Sequence, residues 1–235
     1  MNQGDTPSED WRSAHPAPGP LILQIGFNKC GTRSISRLMG QNGIPRADWQ
    51  RGKIARLAWA RQQRGEPPFA DYRGVIGFTD MENMMLGPAQ MAEYYREFAY
   101  MYKYYPDAYF ILNTRSKEAW LRSRLNHKNY VLKYRRFYRV LSREEVVRRW
   151  AEDWDAHHAA VRAFFADKPG RLCEFNIETD GLTKLAAFLS PSYAITSTEL
   201  PHRGETARPR GLVRRPGWIK PNAIRRAVGL RERSE

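Results

Sequence analysis

Short, continuous apolar runs alternate along this chain with segments in which apolar residues recur every three or four positions. The runs at 21–26 (LILQIG), 75–80 (VIGFTD) and 108–114 (AYFILNT) are typical of strands buried on both faces. A fourth segment, RLCEFNI at 171–177, alternates with the period of a strand. Helical periodicity predicts helices directly after residue 31 and at 53–63, 91–105, 116–127, 143–165 and 180–190, with Ser116 and Ser142 as N-caps.

Strands that alternate with helices predict the α/β fold class, as a three-layer fold with a central, mostly parallel sheet flanked by helices. We expect one such domain over residues 21–200. Residues 1–20 hold four prolines and no long apolar run, which predicts a disordered lead-in without a secretion signal. Residues 201–235 are expected to form a basic tail. Since no stretch approaches the ~18 apolar residues of a spanning helix, we expect a soluble, cytoplasmic protein.

The charge of the chain is unevenly distributed. It carries 39 Lys and Arg against 25 Asp and Glu, for a net charge of +14. Residues 115–149 hold 12 basic and 3 acidic residues, and residues 202–235 hold 10 basic and 3 acidic. These two segments predict an anionic partner, whether a nucleotide, nucleic acid, an acidic glycan or a membrane surface. The two cysteines, Cys30 and Cys173, are too few for a disulfide framework and lack the spacing of a metal site.

A glycine-bearing loop follows the first predicted strand. Its sequence from Gly26 to Thr32 has the G-x-x-x-x-G spacing of a phosphate loop, but Thr32 stands where the Walker lysine should be. A lysine lies inside the loop instead, at position 29. In parallel α/β folds this place presents free backbone N–H groups and the positive end of a helix dipole to a ligand. The loop therefore predicts an anion site, with Lys29 directed at the anion, Gly31 allowing close approach, and Thr32 and Ser34 as hydroxyl donors.

The Lys-x-Gly-Thr sequence directly after a buried strand resembles the 5′-phosphosulfate loop of sulfotransferases that use 3′-phosphoadenosine 5′-phosphosulfate (PAPS). Arg33 stands where most of that family has a hydroxyl residue, as in some glycan sulfotransferases of the heparan type, and the whole run is similar to small bacterial members. The resemblance implies a P-loop NTPase-like fold and a catalytic Lys29 that stabilises the leaving phosphate oxygen. It also implies donor binding by Asn28, Lys29, Cys30, Gly31, Thr32, Arg33 and Ser34.

A second motif lies at the third predicted strand. In the family that the loop resembles, an arginine at a strand end and a serine eight residues later hold the 3′-phosphate, and Arg115 and Ser123 match that pattern. An arginine fork binds phosphate bidentately, and Ser123 lies two helical turns after Ser116 on the same face. Arg122 and Arg124 point elsewhere on the helix, so we expect both to be solvated charges.

The resemblance implies in-line sulfuryl transfer without a metal, from PAPS to a hydroxyl or amine of a glycan, a lipid-linked sugar or a small metabolite. Such a reaction needs a general base within reach of the acceptor. Asp80 and Glu82, near the end of the second predicted strand, are the first candidates, with Asp80 slightly favoured. His127 is the third. Acceptor specificity is expected to depend on residues after that strand and around 126–142.

Two other functions remain open. A magnesium-dependent P-loop nucleotide kinase or NTPase would use Asp80 at the end of a Walker B strand, although the missing Gly-Lys-Ser/Thr argues against it. A nucleic-acid binder would use the two basic segments. With a nucleotide donor as the preferred anion, we expect no nucleic-acid partner. The surplus positive charge then predicts an acidic acceptor, or peripheral binding to the anionic inner face of a membrane.

The remaining candidates predict structural roles. His157 and His158 are adjacent, so a helix sends them to different faces and they cannot form a zinc pair; His158 is expected in the core. The basic segments at 208–211 and 214–218 are candidate contacts for the 3′-phosphate, or part of a disordered tail. Aromatic residues at helical spacing are expected in the core rather than in a sugar-binding cleft: Tyr94, Tyr95, Phe98, Tyr102 and Tyr105.

Overall fold

A central parallel sheet organises the protein. A computed structural model describes residues 19–84, 92–127 and 129–201, so nearly all of the predicted lead-in and tail, including 208–211 and 214–218, lies outside the described residues. The strands of the sheet are β1 (Ile22–Gln24), β2 (Arg46–Asp48), β3 (Gly77–Thr79), β6 (Tyr109–Thr114) and β7 (Leu172–Asn176), and a separate antiparallel pair is formed by β4 (Glu82–Asn83) and β5 (Ala92–Glu93). The sheet has the strand order β2-β3-β1-β6-β7, and every neighbouring pair is parallel.

Helices cover both faces of this sheet. Residues alternate between the two faces along each strand: Ile22 and Ile111 belong to one hydrophobic cluster, and Leu23 and Leu112 to the other. The helices are α1 (Thr32–Gln41), α2 (Lys53–Gln62), α3 (Phe98–Tyr104), α4 (Lys117–Leu125), α5 (Tyr130–Tyr138), α6 (Arg143–Phe165) and α7 (Leu182–Leu189). Helices α1 and α7 pack in the cluster that contains Ile22, and the other helices pack in the cluster that contains Leu23. The α/β prediction and its three layers are therefore confirmed.

One predicted helix was wrong over its first half. In place of a helix over 91–105, the chain forms β5, a 3₁₀ turn at Tyr94–Arg96 and then the short α3. The adjacent side chains of Tyr94 and Tyr95 are both buried, and the Glu93 side chain, which is 7% exposed, pairs with Arg96 at 2.7 Å. Tertiary contacts on several sides therefore override the helical spacing in this segment. Strand β2 and helix α5 were not predicted. β2 is a three-residue edge strand with two polar residues, so it has no apolar run.

Most of the remaining local predictions are confirmed. Ser142 caps α6 by accepting a hydrogen bond from the Glu145 N–H at 3.0 Å. Ser116 occupies the N-cap position of α4, although its side chain makes no capping bond. His158 is a core residue, with its two ring nitrogens against the Trp154 carbonyl and the Thr114 hydroxyl. The predicted core aromatics are buried or partly buried, and no helix in the described part of the chain is long and apolar enough to cross a membrane.

Candidate functional site

A cavity of about 330 Å³ opens where the carboxyl ends of four sheet strands meet. This is the edge at which parallel α/β sheets bind ligands, because strand-to-helix loops from neighbouring strands converge there. The volume lies within the ~300–1,000 Å³ range of small-molecule sites. Loops after β1, β3, β6 and β7 contribute to it, together with α4 and the residues that follow α4. The lining residues are Asn28, Lys29, Gly31, Thr32, Arg33, Ser34, Asp80, Arg115, Ser123, His127, Tyr130, Ile177 and Glu178.

The main chain of the loop after β1 is held by side chains from the surrounding elements. Each carbonyl oxygen of residues 26–30 accepts a hydrogen bond from such a side chain. The donors are Gln24 to Gly26 at 2.5 Å, Asn113 to Phe27 and Cys30 at 3.2 and 2.8 Å, Trp120 to Asn28 at 3.1 Å, and Arg115 to Lys29 at 3.3 Å. The loop conformation is therefore set by the protein itself before a ligand binds, which is the condition for a preorganised electrostatic site.

Two glycines allow this loop to pack as it does. A Cβ added at Gly26 would lie 2.1 Å from the backbone oxygen of Asn113, so no larger residue fits there. Gly31 has a φ of +79°, and a Cβ there would lie 2.9 Å from Ile177. Lys29 also adopts a left-handed backbone conformation, with φ 64°. Non-glycine residues in this region carry a strain of ~1–3 kcal/mol and tend to cluster at functional sites.

The loop leads into the N-terminus of α1, which faces the cavity. Gly31 is the N-cap and provides no side-chain acceptor for the first-turn N–H groups. No acidic residue lies in the first turn of the helix, and Thr32, Arg33 and Ser34 from that turn line the cavity. Uncapped N–H groups and the positive end of the dipole favour an anion at this point. The structure thus brings together the residues that were predicted as an anion site.

Lys29 lies in the cavity among charged neighbours. Burial lowers the pKa of its ammonium group, and nearby Arg33 lowers it further, while Asp80 and Glu82 act in the opposite direction. A partly desolvated ammonium interacts more strongly with an anion than a solvated one does. Lys29 is therefore placed to stabilise negative charge inside the cavity.

Cys30 differs from its neighbours in the loop. Its side chain is fully buried in the hydrophobic core, and burial raises the pKa of the thiol well above its usual value. The residue is not among those that line the cavity. A donor contact predicted at Cys30 can therefore involve its main chain and not its thiol.

Arg115 extends from the end of β6 toward the loop after β1 and lines the cavity. Its Nη1 donates to the Lys29 carbonyl at 3.3 Å, and its Nε and Nη2 donate to Glu178 Oε1 at 3.0 and 2.6 Å. The second oxygen of Glu178 accepts the Ser116 N–H at 2.9 Å, at the start of α4. Ser123 lines the same cavity. The fork and the helix terminus therefore already hold an oxyanion, which is the carboxylate of Glu178.

The three candidate bases occupy different positions. Asp80 lines the cavity; its Oδ1 is buried and has no hydrogen-bond partner within the described residues. Its backbone is left-handed, with φ 54°, and its N–H donates to the Gln24 side chain at 2.8 Å. Burial raises the pKa of Asp80 well above the usual value, and the neighbouring carboxylates of Glu82 and Asp48 raise it further. A carboxylate made more basic in this way and left without a hydrogen-bond partner suits a general base.

Glu82 lies behind the cavity rather than in its wall. It is buried, it accepts hydrogen bonds from Asn28 and from the Tyr130 hydroxyl, and burial raises its pKa. His127 does line the cavity, and its ring lies tilted against that of Tyr130, with 3.9 Å between the ring centroids. The geometry therefore brings Asp80 and His127 into the cavity with Lys29 and leaves Glu82 as a support for Asn28.

The expectation for Arg124 was wrong, whereas Arg122 is exposed as predicted. Arg124 is completely buried, and its Nε and Nη2 both donate to Asn28 Oδ1 at 3.1 Å. Its guanidinium also lies over the Trp120 ring, 4.5 Å from the centroid. The buried charge is stabilised by these contacts and by nearby carboxylates. Arg124 thereby fixes Asn28 and the loop in which Asn28 lies.

Sequence reasoning missed three residues that shape the site. Asn113 lies inside the apolar strand β6, and its side-chain amide donates to two loop carbonyls. A polar residue within a buried strand is the sequence feature that could have identified it. Glu178 follows β7 and was detectable as one more polar residue at a strand end. Tyr130 begins α5, which was not predicted, and it had no comparable signal.

Comparison of the sequence with models of known protein families and with curated proteins gives no match. The functional assignment therefore depends on the residues of the cavity and on their geometry.

Proposed function

We propose that this protein is a sulfotransferase with a P-loop-like fold that transfers the sulfuryl group of PAPS to an acceptor hydroxyl or amine. One observation carries the proposal: Arg115 donates a hydrogen bond to the Lys29 carbonyl, which joins the two predicted phosphate motifs in the wall of one cavity. The motifs lie 86 residues apart in the sequence. A nucleotide with phosphates at both ends requires two anion sites in one pocket, and the fold supplies both in this cavity wall.

Two groups of residues in the cavity wall suit the two phosphate-bearing parts of the donor. The N-terminus of α1, with Thr32 and Ser34, would hold the 5′-phosphosulfate. Arg115, Ser116 and Ser123 would hold the 3′-phosphate, and the bound carboxylate of Glu178 supports this because it demonstrates that the fork accepts an oxyanion. The volume and the positive residues of the cavity are compatible with such a nucleotide.

The residues present can supply the steps of the transfer. The donor would bring an activated sulfuryl group. As the acceptor oxygen forms its bond to sulfur, Asp80 takes the acceptor proton. The bond between sulfur and the bridging oxygen of the 5′-phosphate breaks, and Lys29 stabilises the negative charge that develops on that oxygen. The products are a sulfate ester, or a sulfamate where the acceptor is an amine, and 3′-phosphoadenosine 5′-phosphate (PAP). We expect no metal requirement, because the sulfuryl group carries less charge than a phosphoryl group.

A thermal-shift titration with PAP in EDTA tests the proposal against the nucleotide kinase or NTPase. We expect PAP to stabilise the protein without magnesium. Stabilisation by Mg·ATP alone, with no response to PAP, would contradict the sulfotransferase and support the kinase.

Variants of the two motifs make the test specific. Lys29→Ala and Arg115→Gln are each expected to weaken PAP binding by about 10- to 100-fold, because each removes a charged contact to phosphate. Lys53→Ala, at an exposed position at the start of α2, should bind as the wild type does. If nucleotide binding persists in both motif variants and disappears at high salt, the protein is a nonspecific polyanion binder instead.

A further inference from the structure

A second cavity of about 310 Å³ lies beside the first. Its walls come from the end of α4, from α5 and from the first residue of α6, and His127 lines both cavities. The second cavity therefore adjoins the one that holds Lys29 and Asp80. The sequence had indicated this part of the chain, around 126–142, as a determinant of acceptor specificity.

The polar part of the second cavity is basic. Arg135 and Arg143 line it, and none of the described residues that line it is acidic. The Nε of Arg135 is buried and has no hydrogen-bond partner within the described residues. Other arginines of the protein, such as Arg61 and Arg162, pair with carboxylates at 2.5 to 2.7 Å. A buried guanidinium N–H without an acceptor is costly, and a bound anion would satisfy it.

The rest of the cavity wall is apolar. Leu125, Val131 and Leu132 line it, and Leu132 is 47% exposed, which makes it one of the most exposed large hydrophobic side chains in the described part of the chain. Apolar side chains next to two guanidinium groups match a ligand that carries both an acidic group and a hydrocarbon portion.

We propose that the second cavity binds the acceptor, and that the acceptor is a small acidic amphiphile. Its anionic group pairs with Arg135 and Arg143, its hydrocarbon portion lies against Leu132 and Val131, and its hydroxyl enters the first cavity beside Asp80. This inference rests on the proposed function and gives it a substrate class. The chemistry is the transfer described above: the hydroxyl oxygen gains the sulfuryl group, Asp80 takes its proton, and PAP leaves.

Probe acceptors of matched shape test the proposal. We would use ω-hydroxy fatty acids of increasing chain length together with their methyl esters, with PAPS as the donor. The wild type is expected to prefer the acids, with an optimum in chain length. Arg135→Gln/Arg143→Gln should raise the KM for the acids by about 10- to 100-fold and leave the KM for the esters and the kcat unchanged. Arg136→Gln, an exposed neighbour on α5, should have no effect.

A second pair of variants addresses the apolar wall. Leu132→Ala should raise the KM for both acids and esters, whereas Leu141→Ala, at a side chain that is 89% exposed, should not. Calorimetric binding of the same probes in the presence of PAP gives a readout that does not depend on turnover.

The outcomes separate this inference from the proposed function. Failure of PAP to bind the wild type contradicts the sulfotransferase itself. If PAP binds wild type and double variant equally, but the acids bind no better than the esters or bind the double variant equally well, the second cavity is not the acceptor site. Normal PAP binding with selective loss of the acids in the double variant supports the proposal.

Discussion

The carboxylate of Glu178 occupies the guanidinium fork of Arg115. Nη2 of Arg115 lies 2.6 Å from Oε1 of Glu178, and the other oxygen accepts the N–H of Ser116 at 2.9 Å. The third nitrogen of the guanidinium donates to the Lys29 carbonyl. A phosphate that binds this fork must therefore displace Glu178. On the proposed function, the carboxylate would compete with the nucleotide for the fork, and it satisfies the fork when no nucleotide is bound.

Glu178→Gln should strengthen PAP binding by about 3- to 10-fold, because a neutral amide holds the arginine less firmly than a carboxylate does. Isothermal titration calorimetry at fixed ionic strength measures the change. Glu174→Gln is the matched control, since Glu174 makes a comparable pair with Arg162 and does not line the cavity. Weaker binding by the Glu178 variant would mean that the carboxylate contacts the nucleotide instead of competing with it.

Asp80→Asn should lower kcat by about 10²- to 10⁴-fold, since the variant cannot take the acceptor proton. Because the pKa of Asp80 is raised by burial, kcat/KM of the wild type should rise with pH through a range above the ~3.9 of an ordinary aspartate. Glu82→Gln, behind the cavity, should retain more activity. A pH dependence that disappears in His127→Gln and persists in the Asp80 variant would make the histidine the base.

The same Asp80→Asn change should raise the free energy of unfolding at neutral pH. A carboxyl group with a raised folded-state pKa binds protons more tightly in the folded state, so it destabilises the protein as pH rises above the unfolded value. The gain in the variant should therefore shrink as the pH falls toward 4. Urea denaturation at a series of pH values measures it. A gain that is independent of pH would show that Asp80 titrates normally.

His157 should make the protein sensitive to acid. Burial lowers its pKa to about 4, and its Nε2 lies 2.8 Å from the Ile25 carbonyl. Between the unfolded value of about 6.5 and this folded value, the unfolded chain binds more protons, so stability falls as pH falls through that window. His157→Gln should reduce the slope of unfolding free energy against pH in this window by the equivalent of about one bound proton. An unchanged slope would assign the acid sensitivity to other groups.

Gly26→Ala should destabilise the fold by about 3 kcal/mol or more, because the new Cβ meets backbone atoms of Asn113, which cannot move aside. Thermal or chemical denaturation measures the loss. Gly181→Ala is the control, since its nearest contact is an ordinary 3.4 Å. Equal stability of the two variants would mean that β1 and β6 are farther apart than the structure has them.

The predictions that succeeded from sequence rest on local relationships. An apolar run followed by Gly31 and Thr32 predicts a strand, a turn and a helix N-terminus, and these are neighbours along the chain. The interval from Ser116 to Ser123 is two helical turns, so both residues lie on one face of α4 whatever surrounds it. The parallel sheet and the position of the loop at a strand end follow from the same alternation of strands and helices.

Which residues form the cavity wall could be determined only from the three-dimensional packing. Glu178 meets Arg115 across 63 residues because β6 and β7 are adjacent in the sheet, and no periodicity encodes that adjacency. Burial of Arg124 depends on acceptors and rings from other elements, because a buried guanidinium persists only where partners surround it. The same dependence on long-range contacts turns Cys30 away from the cavity and places Asp80 in its wall.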